Sequence, residues 1–266
     1  MVLLDGSCGS FLWNLAEENG IDKDPTWTYN LTHPELVEEM TRRYFDAGSD
    51  MVQTNTFAAN SFSTERSGYD IRDVIAEAVR IGKSVNENIY LSSGPLSMLL
   101  EPYGPMKKEE CERAYREIFE VAAKEGVKAI MLETFMDIRM MEIAAKEAVR
   151  YGLPVCCSMT FEKRHRTMMG DTIRSIVDAL SFEGISSVGM NCSYGPAEGL
   201  KIIKDFRENT ALPLYFKPNA GMGSTYDADT FVSEVSPSLE FVEYIGACCG
   251  SDDNYIKKLR EKIHSS

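Results

Sequence analysis

Residues 128–161 read KAIMLETFMDIRMMEIAAKEAVRYGLPVCCSMTF, and this stretch decides the fold. It opens on a short apolar run, KAIMLETF (128–135), of the length and composition of a buried strand. DIRMMEIAAKEAVRYG (137–152) follows, with apolar residues at three- and four-residue spacing, the pattern of a helix buried along one face. Gly152 closes that helix, and a second apolar run, PVCCSMTF (154–161), comes next. Strand, amphipathic helix and strand in this order form one βα repeat on a parallel sheet.

The same alternation extends in both directions. Upstream lie VLLDG (2–6), DMVQTNTF (50–57) and IYLSSGP (89–95); downstream lie SSVGMNCS (186–193), PLYFKPNAG (213–221) and FVEYIGACCG (241–250). Helical patterns such as PELVEEMTRRYFDAG (34–48), RDVIAEAVRIGKSVNEN (72–88) and EECERAYREIFEVAAKEG (109–126) separate them, with Gly48 and Gly126 as stops. Eight runs at about 33 residues per unit predict an α/β fold, a (β/α)8 TIM barrel forming a single domain over residues 1–266. An open doubly wound sheet is the alternative, but no GxGxxG or GxxxxGK[ST] phosphate loop follows any run. The last two units are the least regular. After Gly221 only one short helical pattern appears, and Pro237 should end it.

In such a barrel the active site gathers at the C-terminal ends of the strands. Those ends carry Asp5, Thr54, Asn55, Glu133, Asn191, Cys192, Asn219, Cys248 and Cys249. Polar and metal-binding side chains thus collect where chemistry is expected, while the middles of the runs are mostly apolar.

Composition narrows the function classes. The 266 residues are 44% hydrophobic and 26% charged, enough for a sizeable core. Twenty-eight Lys and Arg face 41 Asp and Glu, for a formal charge of −13. That balance argues against nucleic acid and anionic membranes as partners. No apolar run approaches the ~20 residues that span a bilayer. The first residues, MVLLDGSCGSFLW, lack the basic segment of a signal peptide, so the expected location is the cytoplasm with reduced thiols. Seven cysteines, an odd count with vicinal pairs at 156–157 and 248–249, fit a disulfide framework poorly.

Cys192 ends the sixth run, and Cys248 and Cys249 end the eighth. Around one barrel mouth their thiolates can converge on one ion, and zinc suits three sulfur ligands with a fourth position open. Soft sulfur donors do not favour Mg²⁺ or Ca²⁺. A vicinal cysteine pair taken alone reads first as two buried small hydrophobes, with a reversible vicinal disulfide as a further alternative. Cys156 and Cys157 sit mid-run, on opposite faces by strand parity, and read as structural. Cys111 reads the same way on its helix, and Cys8 falls near the mouth. A Ser-His-Asp or Cys-His hydrolase would need a histidine at that mouth. Of His33, His165 and His264, only His165 is placed to reach it.

Several motifs together resemble one family. LLDGSCGSFL, NLTHPELVEEMTRRYFDAGSDMVQTNTFAAN, MLETFMD, GMNCSYGP, PNAG and GACCGS occur in that order along nearly the whole chain. They resemble the zinc-dependent homocysteine S-methyltransferase family, most of all the homocysteine-binding barrel of the cobalamin-dependent methionine synthases. The resemblance implies that residues 1–266 form a homocysteine-binding barrel domain. It implies that Cys192, Cys248 and Cys249 are zinc ligands and the catalytic centre, with the homocysteine sulfur at the open position. Methylation of that sulfur would give methionine. The resemblance assigns Asp5 and Glu133 to the substrate amino group, and the backbone N–H groups of the Gly6–Gly9 turn, Gly6 and Ser7 among them, are expected to receive its carboxylate as turn nests do. Asn55, Asn191 and Asn219 are expected among the polar groups of the mouth.

The TNTF and PNAG resemblance favours a methylcorrinoid, methylcobalamin, as the expected donor, and because a single barrel leaves no room for a cobalamin-binding module it is expected on a partner protein. S-methylmethionine and S-adenosylmethionine are alternative donors, another thiol or selenol is an alternative acceptor, and a non-catalytic zinc-binding barrel subunit is an alternative role. Ala58, after TNTF, leans away from betaine, whose branch tends to carry Tyr there. Some positions depart from the family pattern. Ala247 and Ser251 stand in GACCGS where GGCCGT is usual, Cys8 replaces an apolar residue, Lys217 precedes PNAG, and segment 221–241 is short.

Overall fold

The computed structural model describes residues 1–221 and 226–265. Strand β1 (Val2–Leu3) leads into helix α1 (Gly9–Glu18), the short α2 (Tyr29–Thr32) and α3 (Pro34–Asp46). Then come β2 (Val52–Gln53), α4 (Ser61–Arg66), α5 (Ile71–Val85), β3 (Ile89–Ser93) and α6 (Lys108–Glu125). Next are β4 (Ile130–Phe135), α7 (Ile138–Ala148), β5 (Val155–Met159), α8 (Ile173–Ala179) and β6 (Ile185–Cys192). The chain finishes with α9 (Pro196–Asn209), β7 (Leu214–Pro218), α10 (Ala228–Val235), β8 (Tyr244–Ile245) and α11 (Asp253–Ser265).

All strand pairs are parallel, in the order β1-β8-β7-β6-β5-β4-β3-β2. The expected (β/α)8 barrel is therefore the fold. No ladder joins β1 to β2 among the described residues, and side chains supplement the backbone at that seam. Asp50 N donates to Leu3 O at 2.7 Å, and Leu3 N donates to the Asp50 carboxylate at 2.7 Å. Higher up the seam, Gln53 N donates to Asp5 Oδ2 at 2.6 Å.

β1, β2 and β8 are two residues each, much shorter than the apolar runs that announced them. Beyond those residues the chain turns into the loops of the mouth, where side chains and loop amides replace the regular ladder. The last two units are irregular, as their sequence predicts. α10 has eight residues and ends at Val235, and Pro237 sits in a 3-10 turn at Ser236–Glu240. Part of the short 221–241 segment, residues 222–225, falls outside the described residues.

Strand parity sorts the core into two compartments. Leu4, Tyr90, Ala129, Met131, Cys156 and Tyr215 pack together inside the barrel. Leu91, Ile130, Leu132, Val155, Cys157, Val188 and Phe216 pack outward against the helices. The vicinal Cys156 and Cys157 thus divide between the two faces, as the period of two requires, and both are buried. Cys111 is buried in the outer layer. Two residues further along the inward rows, above that apolar floor, come Ser92, Glu133, Ser158 and Lys217. The barrel interior therefore changes from apolar to polar toward the C-terminal ends, and this change places the site. No helix among the described residues is long and apolar enough to cross a membrane.

Candidate thiolate centre and its cavity

A cavity of about 670 Å³ opens at the C-terminal end of the barrel. Cys192, Cys248 and Cys249 border it, with Glu133, Lys217, Asn191 and Asn55 below and Gly6 to Ser10 on one side. Trp13, Trp27 and Phe57 form an aromatic wall, and Trp13 and Phe57 are partly open to solvent.

The three cysteine sulfurs lie within 4.8 Å of one another, and those of Cys192 and Cys249 are 3.7 Å apart. Metal–sulfur bonds of ~2.3 Å at tetrahedral angles set two sulfurs about 3.8 Å apart. The spacing therefore fits three ligands of one zinc. Local backbone conformation produces it. Cys192 and Ser193 have φ of 58° and 52°, a left-handed turn that non-glycine residues rarely adopt. That turn ends β6 abruptly and brings the Cys192 sulfur to the vicinal pair.

On the other side, Gly250 has φ of 86°, and a Cβ there would lie 1.8 Å from Gly221 O. Only glycine lets the loop after Cys249 pass so close to the end of β7. Ser251 Oγ accepts from Ser7 N at 3.0 Å and donates to Cys248 O at 2.7 Å. The hydroxyl of this residue, one of the two departures in GACCGS, thus ties the cysteine loop to the turn after β1. Ala247, the other departure, is fully buried.

Ionisation of the thiols needs a counter-charge. Hydrogen bonding with Cys192 is the largest influence pushing the Cys248 thiol up to about 12, with burial acting in the same direction. Cys249 also rises to about 12: contact with Cys192 lowers it, but Cys248 and burial more than offset that. Sulfurs packed this closely keep their protons unless a cation replaces them. Asn191 steadies the group from beneath. Its Nδ2 donates to Thr134 Oγ1 at 2.7 Å and faces Cys248 Sγ at 3.8 Å. Its Oδ1 accepts from Thr134 N at 2.7 Å and from the Ser158 hydroxyl. Thr134 has φ of 65° at a register shift in β4 between Leu132 and Phe135. A bulge at this point re-aims Glu133 and Thr134 toward the mouth.

The two carboxylates come together, and a residue outside the predicted site joins them. Lys217 Nζ lies 2.8 Å from Asp5 Oδ1, 3.0 Å from Tyr90 OH and 3.6 Å from Glu133 Oε1. Its side chain is 2% exposed, and those of Asp5 and Glu133 are 0% and 5% exposed. Burial alone would lower the lysine pKa. Asp5 first and Glu133 next outweigh burial, so the ammonium is held charged above the usual lysine range. Tyr90 OH also donates to Asp5 Oδ1 at 2.7 Å, and Ser92 Oγ donates to Glu133 Oε2 at 2.7 Å. The Tyr215 hydroxyl completes the set on Glu133 Oε1.

Lys217 departs from the family pattern but is not among the residues expected at the site from sequence. The available signal was parity. Lys217 stands two residues after Tyr215 in an otherwise apolar run, so it faces inward at the level of Glu133.

The other predicted residues are distributed unevenly. Gly6, Ser7, Asn55 and Asn191 line the cavity. Asn55 Nδ2 donates to Thr26 O at 2.6 Å and Asn30 Oδ1 at 3.0 Å, and Asn55 Oδ1 accepts from Cys8 Sγ at 3.3 Å. These bonds fasten the aromatic wall to β2. Asp5 lies below the cavity surface, and Asn219 is outside the lining, with Oδ1 buried and without a hydrogen-bond partner among the described residues. Cys8 lines the cavity but is bonded to Asn55, away from the three-sulfur group. His165 is held between Asp205 and Glu198 at 3.0 Å each, outside the lining.

Comparison with known proteins places this architecture. The family model described as homocysteine S-methyltransferase matches residues 2–263. The chain belongs to the homocysteine S-methyltransferase family. Methionine synthase of Mycobacterium leprae is 27% identical over 88% of this chain, which corresponds to 22% of that relative. The chain thus spans about a fifth of the length of the methionine synthases it matches. Mouse betaine–homocysteine S-methyltransferase 1 is 26% identical over 96% of this chain and 71% of its own length. The metallated form of the homocysteine methyltransferase MmuM from Escherichia coli superposes with a TM-score of 0.83 at 19% identity, over 98% of this chain and 96% of that one. This last likeness concerns the fold.

Proposed function

We propose that this barrel is a zinc-dependent enzyme that methylates the thiol of homocysteine, giving methionine. The observation that carries the reading is the three-sulfur group of Cys192, Cys248 and Cys249 on the cavity surface, its sulfurs within 4.8 Å of one another and those of Cys192 and Cys249 3.7 Å apart. Zinc held there would keep an incoming thiol as the nucleophilic thiolate at neutral pH. Every other contribution comes from the chain. Asn191 orients Cys248, and Ser251 fixes the loop that carries the vicinal pair. The turn at Gly6 and Ser7 and the N-terminus of α1 border the cavity, where the positive end of the helix suits a substrate carboxylate. Glu133 faces the amino end of the substrate, and Asp5 acts on that end through Lys217. Trp13, Trp27 and Phe57 shield the sulfur from water and leave an apolar opening for the donor.

A methylcorrinoid presented by a cobalamin-carrying protein is the proposed donor. The TNTF and PNAG likeness and the wide aromatic rim support it. The proposed setting is the cytoplasm, where the thiols stay reduced. The test is a donor panel. Zinc-loaded protein is incubated with homocysteine and, in turn, methylcobalamin, S-methylmethionine, S-adenosylmethionine and betaine, and methionine is scored. Methionine with methylcobalamin alone is the expected outcome. A reduced protein that retains no zinc, or that forms no methionine with any donor, refutes the proposal.

A further inference from the structure

We infer that the Ser7 side-chain hydroxyl is a carboxylate-binding donor of the acceptor site, and that Ser10 positions it from the loop that carries the vicinal cysteines. The inference rests on the thiol-binding role proposed above and names the contact made by the acid end of the same ligand. Ser7, Ser10, Glu133, Cys192, Cys248 and Cys249 all line one cavity. A small amino-acid thiol in that cavity therefore meets the three sulfurs, the Glu133 carboxylate and the Ser7 hydroxyl on one surface.

The backbone of Ser7 is already committed. Its N–H donates to Ser251 Oγ at 3.0 Å, and its carbonyl accepts from Tyr44 OH at 2.6 Å. The Ser7 N–H that the sequence offers to a substrate carboxylate is thus spent on the cysteine loop, because Ser251 Oγ in turn donates to Cys248 O at 2.7 Å. The hydroxyl is what remains. Ser7 is 6% exposed, and its Oγ accepts from Ser10 Oγ at 2.6 Å and from Ser10 N at 3.3 Å. A hydroxyl has two acceptor sites and one proton to give. Both acceptor sites are filled, and among the described residues no group accepts the proton. The cavity is the direction left open to it, and a carboxylate there completes a charge-assisted hydrogen bond.

Ser10 sets that direction. Its Oγ accepts from Gly250 N at 3.4 Å and donates to Ser7 Oγ. Donation therefore runs one way, from the cysteine loop through Ser10 to Ser7 and on to the ligand, and each bond polarises the next. The N-terminus of α1, at Gly9, adds its positive end beside the same point. The other pole of the ligand is matched as well. Asp5 and Glu133 against Lys217 are two carboxylates against one ammonium, which leaves one negative charge for the substrate ammonium.

The test compares homocysteine with 3-mercaptopropylamine, which is homocysteine without its carboxylate. Binding is read on the metal-loaded protein by calorimetry with zinc, and independently by the sulfur-to-metal absorption band with cobalt in place of zinc. Neither readout needs a methyl donor. Ser7→Ala should weaken homocysteine about tenfold, the scale of one hydrogen bond to a charged group, and leave 3-mercaptopropylamine binding unchanged. Ser10→Ala should weaken homocysteine about threefold, because the Ser7 hydroxyl is then free to turn. Ser10→Thr, which keeps the hydroxyl, should bind homocysteine as the wild type does. Equal weakening of the two thiols in Ser7→Ala, or weakening of neither, overturns the inference and leaves the thiol-binding reading standing. Unchanged homocysteine binding in Ser10→Ala overturns the positioning role of Ser10. Failure of both thiols to bind a wild-type protein that holds its metal overturns the proposed function itself.

Discussion

Replacing Lys217 with methionine tests the buried charge cluster directly. Lys217 and Asp5 form a 2.8 Å ion pair with side chains 2% and 0% exposed. Removing one partner of such a pair leaves an uncompensated charge in a low dielectric, at a cost of about 3–5 kcal/mol. Asp5 would keep Tyr90 OH and Gln53 N as donors, so a value near 4 kcal/mol is expected. For a chain of this size that corresponds to a fall of about 7 °C in Tm.

Adding Asp5→Asn should recover part of the loss, because no buried charge then lacks a partner at that seam. The introduced amide would still accept from Gln53 N through its oxygen, and its nitrogen would donate to Tyr90 OH. Glu133 would keep Ser92 and Tyr215 and gain water from the cavity. The double variant should therefore be more stable than Lys217→Met alone by about 2 kcal/mol. Urea or thermal unfolding of the wild type, both single variants and the double variant closes the cycle. A double variant that loses the full sum of the two single losses would refute the claim that Lys217 neutralises Asp5.

The remaining predictions concern the metal centre and the surface. Cys248→Ala should lower zinc content from about one per chain to a small fraction of that, measured by atomic emission after gel filtration under reducing conditions. Asn191→Leu should keep the fold but weaken zinc retention about 10–100-fold in a chelator competition, because it removes the amide facing Cys248 Sγ. Gly250→Ala should cost at least about 2 kcal/mol in urea unfolding, since its φ of 86° is combined with a Cβ 1.8 Å from Gly221 O. The same variant should loosen zinc, because the displaced loop carries Cys248 and Cys249. His165→Gln should show a pH-dependent effect. Burial lowers the His165 pKa, but Glu198 and Asp205 outweigh it and raise the folded value above the unfolded one. The associated stability is therefore present below the unfolded pKa of ~6.5 and is lost as pH rises through the folded value. The variant should lose under about 1 kcal/mol near pH 6 and nothing near pH 9, because both partners are half-exposed. An equal loss at both pH values would mean that the ring acts through packing alone.

The repeat of short apolar runs and amphipathic helices determined the barrel, because burying a parallel strand on two faces and a helix on one leaves a pattern in linear order. That pattern also placed Asp5, Glu133, Asn191, Cys192, Cys248 and Cys249 at one end of the molecule. The gathering of the three sulfurs followed from the barrel, but the 3.7 Å contact of Cys192 with Cys249 depends on left-handed turns at Cys192 and Ser193, which no periodicity announces. The extent of β1, β2 and β8 was overread, because an apolar run does not reveal where loop contacts replace the ladder.

Only the tertiary structure decided what the two carboxylates face. Asp5 and Lys217 are 212 residues apart in the chain, and strands β1 and β7 meet only through closure of the sheet around β8. A sequence states each charge and the side of its strand. Whether a carboxylate is open to a ligand or already holds a lysine depends on distances across the barrel, which the folded sheet alone sets.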